Sequence, residues 1–144
     1  MRHDLEVKRS VLIDASIDTV WEGLTNPAII KEYLYGTETL TDWQPGSSIV
    51  FQGEYEGQTY RDHGIIEECV SNSKIAYSYW SSFSGLEDIP ENHSKVTYEL
   101  KKLGENSTEL TWIQTGFADE ERQKHSAEGM DSFLQSIKAV IEKI

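Results

Sequence analysis

The chain has 144 residues, 38% hydrophobic and 10% aromatic, enough for a packed core in one domain over residues 1–144 but hardly for two. Its 13 basic and 25 acidic side chains give a formal net charge of −12, which repels phosphate backbones and anionic headgroups, so neither nucleic acid nor a membrane is an expected partner. No apolar run of about 18 residues exists to span a bilayer, no signal-peptide core follows the charged start MRHDLEVKRS, and the lone Cys69 cannot close an internal disulfide, so the cytoplasm is the expected compartment.

The first strand is expected at Leu5 to Ile13, where Leu5, Val7, Val11 and Ile13 alternate and Arg9 interrupts the face. Ser16 is a good helix N-cap, followed by Ile17, Val20, Trp21 and Leu24 at helical spacing, with Asp18 favouring the dipole in the first turn. Asn26-Pro27 ends that helix and starts a second short one, packing through Ile29, Ile30 and Tyr33. Gly36 to Trp43 reads as an edge strand closed by the Pro45-Gly46 turn. Ser48 to Glu54 and Gln58 to Val70 form a hairpin across Tyr55-Glu56-Gly57. Gly64 inside the second strand marks a bulge or a sharp bend. Lys74 to Trp80 is the next strand, and Ser81 to Ser94, with Gly85 and Pro90, reads as a loop. His93 to Lys101 and Ser107 to Thr115 pair around Leu103-Gly104-Glu105-Asn106. The last stretch, Asp119 to Ile144, holds no proline and sets Met130, Phe133, Leu134, Ile137, Val140, Ile141 and Ile144 on one helical face. The order β, α, α, six β, α is an α+β pattern with an antiparallel meander.

Alternation assigns Ile75, Tyr77 and Tyr79, then Val96, Tyr98 and Leu100, then Thr108, Leu110, Trp112 and Gln114 to the sheet face turned toward the long helix. Dry cores favour Leu, Ile and Val, whereas each buried Tyr or Trp needs a partner for its O–H or N–H. Two readings stand: a polar-lined cavity, or an aromatic core satisfied internally. The final helix also divides. From Gly129 onward it carries its apolar stripe, while Asp119 to Glu128 is polar and is expected to lie over a cavity mouth and move.

The segments Ala15-Ser-Ile-Asp-Thr-Val-Trp21, Thr25-Asn-Pro27, Tyr33-Leu-Tyr-Gly36, Asp42-Trp43, Pro45-Gly46, Asp62-His-Gly64, Tyr79-Trp-Ser81, Val96-Thr-Tyr-Glu-Leu100 and Leu110-Thr-Trp-Ile-Gln114 resemble the activator-of-Hsp90-ATPase-homologue domains, of the START-like, Bet v 1-like superfamily. The resemblance covers essentially the whole chain. It implies a helix-grip fold, in which a seven-stranded antiparallel sheet wraps the long C-terminal helix and two short helices close one end. It further implies a cavity between sheet and helix for a small hydrophobic or aromatic ligand. The expected lining is Tyr33, Trp43, Phe51, Asp62, Tyr77, Tyr79, Tyr98, Trp112, Gln114, Gly129, Met130 and Phe133. Where many relatives have Gly-Trp in the last helix, this chain has Gly129-Met130, which implies a larger or more adaptable cavity beside that join.

Motifs for other chemistry are lacking. His3, His63, His93 and His125 show no ligand spacing, so no metal is expected, and no phosphate loop or GxSxG elbow occurs, so no cofactor is expected. Asp62 and His63 must point to opposite faces of their strand and cannot act together. The expected function is a small-molecule binder, monomeric or weakly dimeric. The alternatives are a chaperone-associated interaction module acting through its acidic surface, and a polyketide cyclase-like or hydrolase-like enzyme in which Tyr77, Tyr98 or Asp62 polarises a carbonyl.

Overall fold

The computed structural model describes residues 1–144. Seven strands form one antiparallel sheet in the order β1-β7-β6-β5-β4-β3-β2. They are β1 (Arg2–Ile13), β2 (Glu38–Leu40), β3 (Ser48–Tyr55), β4 (Gln58–Val70), β5 (Lys74–Tyr79), β6 (Ser94–Gly104) and β7 (Ser107–Phe117). Helices α1 (Ile17–Thr25) and α2 (Pro27–Tyr33) follow β1, and α3 (Glu120–Ile141) ends the chain. This is the expected helix-grip arrangement.

Local chemistry sets most boundaries. Ser16 accepts from the Thr19 N–H to start α1, and Asn26 ends α1 while its side chain accepts from Ala28 N–H to start α2. Tyr33 donates to the Gly23 carbonyl at 3.0 Å, locking the two helices together at one end of the sheet. Glu56 and Gly57, at φ 49° and 79°, are the two central residues of a tight turn joining β3 to β4. Asp119 caps α3 by accepting from Arg122 N–H.

Gly64 shows why β4 can be so long. It pairs with β3 up to Ile65 and with β5 from Ile66 onward. At the changeover the Ser78 carbonyl comes so close that a Cβ on Gly64 would lie 1.6 Å from its oxygen. The register shift itself lies between Ile66 and Glu68, just beyond the glycine. The sheet thus bends here and curls around α3.

The core lies between that curl and α3. Ile13, Val20, Ile49, Ile66, Ile75, Leu110, Leu134, Ile137 and Ile141 are almost fully buried. The anchoring stripe of α3 is Leu134, Ile137 and Ile141, flanked by the partly buried Met130, Phe133 and Val140. Lys138 pins the same half by donating to the Leu12 carbonyl at 2.7 Å.

Three expectations need correction. The edge strand expected at Gly36 to Trp43 is only Glu38–Leu40, because Trp43 takes φ 62°, a left-handed conformation held by side-chain turns: Thr41 Oγ1 accepts from Trp43 N–H and Asp42 Oδ1 from Gln44 N–H. Ile144 lies beyond the helix and is 62% exposed, outside the stripe. The polar first half of α3 lies along β1: Gln123 Nε2 donates to the Glu6 carbonyl at 2.9 Å, and Arg2 comes within 3.9 Å of Glu120.

Candidate functional site: a cavity between sheet and helix

Inner-face side chains of β3 to β7, the loop before β3, helices α1 and α2, and one turn of α3 surround a cavity of about 250 Å³. Of its 19 lining residues, 16 are hydrophobic or aromatic, and the remaining three are Thr37, Asp62 and Gln114. Eleven of the twelve residues assigned from sequence line it: Tyr33, Trp43, Phe51, Asp62, Tyr77, Tyr79, Tyr98, Trp112, Gln114, Met130 and Phe133.

Gly129 does not. It is exposed, and a Cβ added there would meet nothing within 4 Å. At 100° per residue it lies about 140° round the helix from Leu134, on the flank away from the sheet. Any room conferred by the Gly129-Met130 pair therefore comes from Met130 alone.

The sequence reading missed Leu24, Ile30, Leu34, Thr37, Ile49, Tyr60, Ile75 and Val96. Tyr60 was legible, since it lies two residues before Asp62 on the same strand and so on the same face. Leu24 on α1 and Ile30 on α2 carried no such signal, because an apolar helix face looks alike whether it meets side chains or empty space.

Two polar arrangements stand out. In the first, Asp62, 7% exposed, accepts the Tyr79 hydroxyl at 2.7 Å on Oδ2, and the Ser82 N–H and hydroxyl at 2.8 and 2.9 Å on Oδ1. These bonds tether the loop after β5 to the cavity wall. Burial first, then the neighbouring Asp62 charge, pushes the Tyr79 hydroxyl pKa well above its ordinary value.

In the second, Tyr77, Tyr98 and Trp112 form a contiguous patch. Tyr98 pairs directly with Trp112 across β6 and β7, and Tyr77 is its diagonal neighbour on β5. No hydrogen bond ties the Tyr77 or Tyr98 hydroxyl to the backbone or to any residue beyond this pair, and burial raises the pKa of both. The Trp112 indole N–H also lacks an acceptor. The only sealed side-chain polar atom without a partner is Thr39 Oγ1; Trp112 Nε1 is not sealed, and opens on the cavity that Trp112 lines.

Beside this patch, further aromatic rings build the wall. Phe51 lies 5.7 Å from Tyr77 and 5.9 Å from Tyr79, and Tyr33 meets Phe133 edge-on at 6.2 Å. No Lys, Arg or His side chain lines the cavity. His63 and His93 lie elsewhere, both bonded to Asp88, at 2.7 and 2.9 Å. No group of three or more His, Cys, Asp or Glu side chains is placed to hold a metal, and no helix is long and apolar enough to cross a membrane. Cys69 is half-buried on β4, its thiol pKa raised by burial.

A curled antiparallel sheet gripping a long helix, with an apolar cavity between them, defines the helix-grip class. Within it, residues 14–142 match the family model described as activator of Hsp90 ATPase homolog 1-like protein, and the chain belongs to that family. The solution structure of ChR145 from Cytophaga hutchinsonii is 38% identical, with a TM-score of 0.83 over 99% of this chain and 97% of that one. More distant structures share the fold. CalU16 from Micromonospora echinospora is 20% identical, with a TM-score of 0.72 over 94% of this chain and 75% of that one. PFC0360w, an HSP90 activator from Plasmodium falciparum, is 14% identical, with a TM-score of 0.74 over 95% and 96%. No curated protein matches the sequence significantly.

Proposed function

We propose that this protein binds a compact apolar or aromatic molecule in the cavity between the sheet and α3. The observation that carries this reading is the unfilled space of about 250 Å³ walled mostly by apolar and aromatic side chains, with the Tyr77 and Tyr98 hydroxyls and the Trp112 N–H bonded to nothing outside their own patch. A dry core closes such space, because each unfilled volume forfeits packing. Ligand sites keep it, apolar with a few polar groups that orient a guest. The volume lies just below the ~300–1,000 Å³ range of drug-sized pockets, which suits a molecule of one to three rings and not a diacyl lipid.

Native mass spectrometry of protein taken directly from cells, followed by thermal shift against a panel of polyphenols, naphthalene derivatives and acyl lipids, tests the reading. Retention of a small molecule, or a rise in Tm with ring compounds, supports it. A protein that carries nothing and responds to none of the panel contradicts it.

Family membership and the net charge of −12 favour a second reading, a module that docks on an Hsp90-type chaperone. A pull-down across a salt series with an ATPase assay separates the two, since docking through charge weakens with ionic strength while cavity binding is indifferent to it.

A further inference from the structure

One cluster of polar groups in the cavity keeps free hydrogens with no acceptor, and that cluster selects a guest. Tyr77 and Trp112 are 8% and 4% exposed, and with Tyr98 they form one patch. The two hydroxyls reach only each other, so one phenolic O–H remains to be donated beside the indole N–H, which can only donate. The carboxyl group of Asp62 is already engaged by Tyr79 and Ser82. It is also the only acidic or basic side chain in a lining without Lys, Arg or His.

We propose that the site selects an uncharged molecule carrying a carbonyl oxygen at one end of a ring-based apolar body, the oxygen seated on the Tyr77, Tyr98 and Trp112 donors and the rings against Phe51, Tyr33 and Phe133. This inference rests on the reading of the cavity as a small-molecule site. A carbonyl oxygen has two lone pairs and accepts both free hydrogens at once, so the remaining phenolic O–H and the indole N–H become satisfied. The same oxygen lowers the desolvation cost of the guest, because its own water is replaced by fixed donors. A carboxylate meets donors too, but no counter-charge, and it enters beside Asp62; an unpaired buried anion is strongly disfavoured. A hydrocarbon of the same shape fills the space yet leaves the donors unpartnered.

Four naphthalene probes of nearly equal size test this by calorimetry on the intact chain: 2-acetylnaphthalene, 2-ethylnaphthalene, 2-naphthoate and protonated 1-(2-naphthyl)ethylamine. The ketone is expected to bind about tenfold or more tighter than the hydrocarbon, as two net hydrogen bonds supply, and the two ions weakest. In a Tyr77→Phe, Tyr98→Phe double variant, whose fold is checked by circular dichroism, the ketone's advantage is expected to shrink to about threefold or less while hydrocarbon affinity holds. If that variant fails to fold, the ranking on the unaltered chain still decides. Equal binding of ketone and hydrocarbon overturns the selectivity and leaves the cavity reading standing. A preference for the ammonium overturns it too, and makes Asp62 the recognition group. Failure of all four to bind defeats both the selectivity and the cavity reading.

Discussion

Asp62 and His63, neighbours on β4, hold the same loop from opposite faces of the sheet. Asp62 faces the cavity and accepts from Ser82, while His63 faces outward and meets Asp88 at 2.7 Å, in the stretch between β5 and β6. The two grips differ in burial: Asp62 is 7% exposed, whereas the side chains of His63 and Asp88 are 29% and 41% exposed. Asp62→Ala strands the Tyr79 hydroxyl and the Ser82 N–H, and is expected to lower stability by about 2–3 kcal/mol. His63→Ala removes a solvent-screened contact and is expected to cost under about 1 kcal/mol. Urea denaturation of both variants decides the matter, and a larger loss in His63→Ala would reverse the assignment of which face holds the loop.

Two glycines respond oppositely to the same methyl group. Gly64→Ala drives a Cβ into the Ser78 carbonyl, backbone that can yield only if β4 and β5 part, so a loss of at least about 3 kcal/mol, or failure to fold, is expected. Gly129→Ala adds its methyl to open space on an exposed helix interior and is expected to raise stability by about 1 kcal/mol. Ring-compound affinity in Gly129→Ala is expected to match the unaltered chain. A loss of affinity there would return Gly129 to the cavity.

Thr39 offers a cleaner gain. It is 2% exposed on β2, and its Oγ1 is sealed without a hydrogen-bond partner. Thr39→Val replaces that hydroxyl by a methyl of similar size and keeps the β-branch that suits a strand. Removal of a buried unsatisfied group is expected to raise stability by about 1 kcal/mol. An unchanged or lower denaturation midpoint would show that the hydroxyl finds a partner in solution.

What the sequence disclosed followed local rules. Ser16, Asn26 and Asp119 cap their helices, and Glu56-Gly57 turns its hairpin, because these positions satisfy nearby backbone groups and need nothing distant. Period-two alternation placed Tyr77, Tyr98, Trp112 and Gln114 on the inner face, and all four reach the cavity. The failures were tertiary. Trp43 leaves its expected strand because two side-chain turns hold a left-handed backbone, and Gly129 misses the cavity because the phase of α3 is set by Leu134, Ile137 and Ile141. The polar first half of α3 looked unattached because its hydrogen-bond partner, the Glu6 carbonyl, is a backbone group with no signature in side-chain pattern.

The buried Tyr33 and Tyr77 and the half-buried Tyr79 and Tyr98 make the fold sensitive to alkali. Tyr33, Tyr77, Tyr79 and Tyr98 all have hydroxyl pKa values raised from the ordinary 10.0, burial being the first cause in each. A raised pKa means that the native state holds its proton where the unfolded chain has already released it. The contribution of these groups is therefore complete below pH 10 and is lost as pH rises from there toward the folded values. Each such tyrosine lowers stability by about 1.4 kcal/mol per pH unit in that window, so four together exhaust a marginal fold within a few units. Absorbance at 295 nm is expected to rise in two stages, the second coinciding with loss of near-ultraviolet circular dichroism. Tyr98→Phe is expected to make the fall of stability with pH shallower. Ionisation of all seven tyrosines near pH 10 with the native spectrum intact would mean that the cavity admits water and hydroxide freely, and would remove the low-dielectric setting on which ligand selection by these hydroxyls depends.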